Sequence, residues 1–363
     1  MNRFRPATRS IIVFLLCNAA VFVRSGTVNI GVDPRIELIS VVQLLSGAKS
    51  NNRTPPLQTQ FDFPYKRDVL AAFSPYRNHE AVARYLDVLK AGFGFAPLAE
   101  SVLVLSYPPE LKSNTGPPLQ RSDSPQVLAA FVESLRGFAG TSRFMVFYKK
   151  HLPYYRLLTE REKKKLDFQK WVSHLEDYCG GEEADYRFIL SPLLQSADIL
   201  IQTQEWNGST CCQLVVAPNQ LQGELPDFGS KNQYRHRILH EFGHFMIDPV
   251  VESHAADLER SAPLWVPIKR AMENQGYADW KTSVGEHVVR AVSVRLTYRM
   301  ENEYAGRNAL NSERILQFRY IEPISNRLKE YEDKRKRYKS IRNFFPEIVR
   351  TLEQLVESAG PNQ

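Results

Sequence analysis

Along most of the chain apolar residues recur at helical spacing, and only three short runs cluster as strands do. The first helix is read over VDPRIELISVVQLLSG, 32–47, where Pro34 sits near the start and Gly47 supplies a stop. The polar stretch at 48–60 has no period and two prolines, so it reads as a loop; helical spacing then resumes from about 65 to 92. SVLVLSY, 101–107, reads as a β-prone run, and the Pro/Ser/Asn-rich segment 108–125 as an exposed loop. From 126 to 178 the pattern is helical. Two strands are expected at ADILIQTQ (197–204) and QLVVAP (213–218), just before a polar-faced helix at 235–249, and almost everything from 250 to 363 is helical. No repeat or composition break isolates a second domain. The expected fold is therefore α+β: predominantly helical, with a small mixed sheet before the 235–249 helix, forming one domain over 26–363 with lobes of about 26–249 and 250–363.

Composition refines this picture at the N-terminus. Arg3, Arg5 and Arg9 precede the apolar run IIVFLLCNAAVFV, and Ser25 and Gly26 follow it, which reads as a signal peptide over 1–25 and a secreted or periplasmic product. The run is 13 residues long, short of the roughly 20 a bilayer span requires, and no later run reaches that length, so no integral membrane domain is expected. Loss of Arg3, Arg5, Arg9 and Arg24 with the signal takes the net charge from +7 to +3, which calls for no nucleic-acid partner. The basic run at 332–342 reads as the solvated face of a helix. Cys179, Cys211 and Cys212 then remain; their odd number and spacing match no disulfide framework, and they read as structural. Asn52-Arg53-Thr54 and Asn207-Gly208-Ser209 are sequons.

Candidate chemistry concentrates in RHRILHEFGHFMIDP. His240-Glu241-Phe242-Gly243-His244 matches HExxH, which a chain with 8 histidines would show by chance on the order of 0.01 times. Residues four apart on a helix share a face, about 5–6 Å apart at Cβ, so two imidazoles can converge on one Zn2+. Glu241 is rotated about 100° from His240, which sets its carboxylate beside the metal, where a general base belongs. His236, His240, His244, Arg237, Asp248 and Glu241 fall in one arc, while Ile238, Leu239, Phe242, Phe245 and Met246 cover most of the rest. His236 lies about 12 Å along the axis from His244 and cannot join both others on one ion, so it is read as cleft lining. Asp248 is placed to accept from a ligating imidazole, and Pro249 is expected to end the helix.

Catalytic zinc commonly takes three protein ligands. The metzincin spacing would need a histidine at 250, where Val250 stands. Glu286 is favoured as the third ligand. It shares a narrow polar stripe with Arg290, Ser293 and Thr297 on an otherwise apolar helix, and a buried carboxylate calls for compensation by a metal or by hydrogen bonds. An intrahelical Glu286–Arg290 pair is compatible with that role. Glu252 and His254 are the alternative ligands.

With His240, Glu241 and His244 on one helix and Glu286 on a later one, 42 positions after His244, the chain resembles the gluzincin metallopeptidases, the thermolysin-like group. The stretches VDPRIELISVV, FSPYRNHEAVARY, HEFGHFMIDP and GEHVVRA together resemble, more narrowly, an uncharacterised family of secreted, mostly bacterial gluzincin-like peptidases. The resemblance implies that His240, His244 and Glu286 ligate Zn2+, that Glu241 is the general base, and that an edge strand at QLVVAP holds a peptide or protein substrate. It also implies a zincin-like fold and an oxyanion-stabilising Tyr or His, for which Tyr298, Tyr320 and His287 are all candidates that no motif separates; Tyr320 is carried forward as the expected catalytic partner of Glu241. The expected function is hydrolysis of peptide bonds by a zinc-activated water. The alternatives are a non-catalytic metal-containing binding protein and a zinc hydrolase of another amide, such as cell-wall material.

Overall fold

The computed structural model describes residues 26–47, 60–113, 125–180, 184–194, 198–204 and 209–359. The expected signal segment over 1–25, the sequon at Asn52 and the acceptor asparagine Asn207 lie outside them. A four-stranded sheet is built from β1 (Val28–Gly31), β2 (Asp185–Leu190), β3 (Asp198–Gln204) and β4 (Thr210–Val216), in the order β1-β2-β4-β3. The first three neighbours run parallel; β3 is antiparallel to β4, with Leu200 opposite Leu214. A small hairpin of β5 (Gln220–Gln222) and β6 (Leu225–Asp227) follows. The helices before β2 are α1 (Pro34–Ser46), α2 (Pro64–Phe73), α3 (Glu80–Lys90), α4 (Phe95–Leu103), α5 (Pro125–Thr141), α6 (Phe144–Lys150), α7 (Leu152–Lys163) and α8 (Phe168–Cys179). After the sheet come α9 (Lys231–Ser253), α10 (Ala255–Leu258), α11 (Lys269–Glu273), α12 (Trp280–Met300), α13 (Glu303–Ile315), α14 (Ile321–Asp333) and α15 (Ile341–Ala359).

The chain is thus α+β, mostly helical, with a small mixed sheet, as its pattern predicts. Both faces of the sheet are covered, which is why its strands read as apolar runs with little alternation. On one face Tyr186, Phe188, Leu214 and Val216 pack with α8, α9, α12, α14 and α15; on the other Ile189, Ile201 and Val215 pack with α1 to α6. The two apolar cores therefore meet at the sheet. The expected lobe boundary at 249/250 falls inside α9 and divides neither core.

Several boundaries differ from the reading of the sequence. Ser101, Val102 and Leu103 lie in the last turn of α4, not in a strand. Phe95, Leu98, Ala99, Val102 and Leu103 are all buried, and their helical spacing begins upstream of the β-branched residues and overrides them. Pro249 does not end α9, which continues to Ser253. A proline removes one intrahelical hydrogen bond, and Val250 and Val251, both buried in the core, hold the following turn in place. QLVVAP belongs to β4, an interior strand between β2 and β3, so the expected edge is wrong by one strand; the outer strand on that side is β3.

In α1, Asp33 caps the N-terminus by accepting from the Arg35 amide at 2.8 Å, and Gly47 closes the helix with φ 60°. This helix is buried along nearly its whole length. Within it Glu37 is fully buried, its Oε1 accepting from the Tyr65 hydroxyl at 2.6 Å, and burial pushes its carboxyl up to about 8. Cys179, Cys211 and Cys212 are buried thiols joined by no disulfide, and burial pushes the Cys179 thiol up to about 12.

Candidate metal centre

Two helices build the site. α9 starts at a capping box in which Ser230 and Gln233 satisfy each other's backbone amides, and its Phe242 packs on Tyr186 and Phe188 of the sheet at ring distances of 4.8 and 5.3 Å. α12 is capped by Asp279, which accepts from the Thr282 amide at 2.8 Å. The two meet at Gly243, where a Cβ would stand 3.1 Å from Val289 Cγ1. Glycine inside HExxH thus permits the close approach that brings a carboxylate from α12 under the α9 histidines.

His240 and His244 converge with Glu286. One donor atom from each lies within 4.8 Å of the others. His244 Nε2 is 3.1 Å from Glu286 Oε1, and His240 Nε2 is 3.8 Å from Oε2. Two imidazole nitrogens and one carboxylate oxygen on rigid helices are a donor set that suits a divalent transition metal such as zinc. The buried His240–His244–Glu286 group can therefore hold a metal ion. Asp248 holds His244 Nδ1 at 3.0 Å, leaving Nε2 to face the centre. His240 Nδ1 is buried with no partner among the described residues.

Behind Glu286 stands Arg290, one turn along the helix. Its Nε donates to Glu286 Oε2 at 3.1 Å, its Nη1 to Glu313 Oε2 at 2.7 Å and its Nη2 to the Tyr277 hydroxyl at 3.2 Å, and its guanidinium lies 4.1 Å from the Phe318 ring centroid. Both readings of Glu286 therefore hold together: it pairs with Arg290 and faces the histidines.

The electrostatics follow from burial and these partners. Burial opposes the charge on Glu286, but the hydrogen bond from His244 and the surrounding cations hold its pKa down at about 2. For His244, burial pulls down, yet Asp248 and Glu286 outweigh it and raise the pKa to about 10. Burial keeps His240 neutral, lowering it to about 3. Desolvation lifts Glu241 to about 7; its carboxylate has no hydrogen-bond partner among the described residues and is therefore available to a reacting group.

Other expected site residues are elsewhere. The Tyr320 hydroxyl donates to the Leu264 carbonyl at 2.6 Å in a buried setting, so it is committed to structure and is not an oxyanion donor. His287 is buried, its Nδ1 2.6 Å from the Ser283 carbonyl, and Tyr298 packs against Gly306 on another face of α12. Glu252 pairs with Lys281, and His254 packs on Phe345; neither belongs to the ligand group. His236 is exposed and stacked on His240 at a ring distance of 5.2 Å, one turn before it on α9. Reading the sequence missed Tyr277. Its hydroxyl accepts from Arg290 Nη2 at 3.2 Å, and desolvation together with the Glu286 charge raises its pKa. It lies in the loop before α12, where no period marks it. Asp198 was missed too: it accepts from Arg237 Nε at 2.8 Å and ties the start of β3 to α9.

Residues 118–351 match the family model described as a domain of unknown function, DUF4932. That is more than half of the 363 residues. The chain belongs to the DUF4932 family. No curated protein and no solved structure matches it. The DUF4932 region contains both ligand helices, Glu241 and Tyr277, whereas α1 to α4 precede it.

Proposed function

We propose that this DUF4932 protein is a secreted, zinc-dependent metallopeptidase of gluzincin type with a zincin-like arrangement of sheet and ligand helices. The observation that carries the reading is the convergence of His240, His244 and Glu286 beside an uncommitted, desolvated Glu241. Bound zinc would supply Lewis acidity, polarising the carbonyl and the attacking water. Glu241 takes the proton of that water and passes it to the leaving amine, a task open to a carboxylate with no hydrogen-bond partner among the described residues. The Tyr277 hydroxyl, beside Glu286, donates to the oxygen that gains charge as the carbonyl carbon becomes tetrahedral. The outer strand β3, tethered to α9 through Asp198 and Arg237, offers its free backbone edge to an extended peptide.

Metal analysis combined with assays on a peptide library and on cell-wall fragments tests the reading. Wild-type protein is expected to hold one zinc per chain and to cleave peptides, and Glu241→Gln to keep the zinc while losing activity by about a thousandfold or more. Full activity in Glu241→Gln with zinc retained removes the proposed base. Turnover of cell-wall fragments alone replaces the peptide substrate.

A further inference from the structure

A second built site lies away from the metal centre. Nine positions separate Glu286 from Arg295 on α12, which turns Arg295 to the opposite side of the helix. There α12, α13 and α14 enclose a groove of about 480 Å³.

Two of its lining residues are largely buried and each keeps one donor open. Arg295 is 9% exposed; its Nε and Nη2 grip Glu332 at 2.7 and 2.6 Å, and Glu332 is further fixed by the Tyr178 hydroxyl at 3.0 Å. That fork fixes the guanidinium, while Nη1 has no hydrogen-bond partner among the described residues. Ser325 on α14 is 3% exposed, and its hydroxyl likewise has none. Two open donors on largely buried side chains, facing one groove, are placed to meet a ligand there.

The rim agrees in charge. Lys329 forms no ion pair with any described residue, whereas the two rim carboxylates are engaged, Glu303 by Arg307 at 2.6 Å and Glu322 by Arg314 at 3.6 Å. One wall is the Tyr298 ring, laid so close on α13 that a Cβ at Gly306 would come within 2.2 Å of it. The groove therefore presents a fixed guanidinium edge, a hydroxyl and an unpaired ammonium, a set of donors with no free acceptor charge. Metal cations are excluded by the same arithmetic.

We propose that this groove binds a phosphate or sulfate group, held by Arg295 Nη1 and Ser325 at its floor and by Lys329 at its rim. Asn311 and Asn326, also at the rim, are placed to read polar substituents of the molecule that carries it.

Calorimetric titration of the full chain with inorganic phosphate, sodium sulfate and glucose 6-phosphate, against sodium chloride at matched ionic strength, tests this. Saturable binding of at least one oxyanion and none of chloride is expected. Ser325→Ala and Lys329→Gln should each weaken it about fivefold or more, the loss of a single hydrogen bond or charge contact, with unchanged melting temperature and zinc content. Tighter binding of the sugar phosphate than of free phosphate assigns the site to a phosphorylated small molecule; equal binding assigns it to the ion. Absence of saturation up to about 50 mM, or binding that neither substitution alters, an adventitious ion only, overturns the proposal.

Discussion

At the scale of single residues, the proposed mechanism gives Tyr277 the role that the sequence suggests for Tyr320. Tyr320 is spent on the Leu264 carbonyl, whereas Tyr277 stands beside Glu286. Tyr277→Phe should lower kcat by about a hundredfold, as loss of an oxyanion donor does, and leave the melting temperature unchanged. Tyr320→Phe should keep kcat and cost about 1 kcal/mol of stability, the net worth of one buried hydrogen bond. Steady-state kinetics and denaturant unfolding on both variants check this; the reverse assignment would show as a kcat loss in Tyr320→Phe. The ligands were legible because HExxH fixes a spacing, and because Glu286 is the carboxylate on an apolar helix. Tyr277 was not legible. Its position depends on how a loop folds back against α12, and nothing periodic precedes it.

At the scale of elements, α1 carries a charge-bearing group where none can be solvated. Glu37 has an ordinary pKa of 4.5 and is raised to about 8 by burial. Between those values the folded chain holds a proton that the unfolded chain has released, so folding takes up a proton and stability falls as pH rises from about 4.5 towards 8. Glu37→Gln keeps the shape and the acceptor for Tyr65 without an ionisable group. It should flatten that decline and gain on the order of 2–4 kcal/mol at the upper end. Urea midpoints at pH 5, 7 and 8 measure it, and an unaltered slope in the variant would transfer the effect to another group. Helices with clear punctuation were read well: Pro34 and Gly47 bound α1 as expected. Errors arose where local preference competes with packing. Val102 and Leu103 favour a strand in isolation, but the buried stripe starting at Phe95 draws them into α4. Pro249 favours a stop, but the burial of Val250 and Val251 carries α9 past it. Strand order was beyond reach from the chain alone, since β2 and β4 pair across the intervening β3.

At the scale of the molecule, the metal centre joins parts that the sequence keeps apart. Chelation of zinc should lower the melting temperature, restored by added zinc, because an ion bound only by the folded chain stabilises it by about 4 kcal/mol at a thousand times its dissociation constant. Differential scanning calorimetry with and without a chelator measures the shift, and Glu286→Gln should abolish the response. The family match spans the sheet face and helices that carry this centre, while α1 to α4 cover the other face from outside it. His244 and Glu286 stand 42 positions apart, on helices joined by the short α10, α11 and their turns. In polymer terms, an ion gripped by both ends acts as a cross-link closing that loop. Tying a loop of this length removes about 4 kcal/mol of chain entropy from the unfolded state, comparable with a disulfide. Three buried thiols form no bridge here, so under the proposed reading a bound zinc would serve as the chain's reversible staple, and any competitor for zinc would loosen the fold as well as lower the activity.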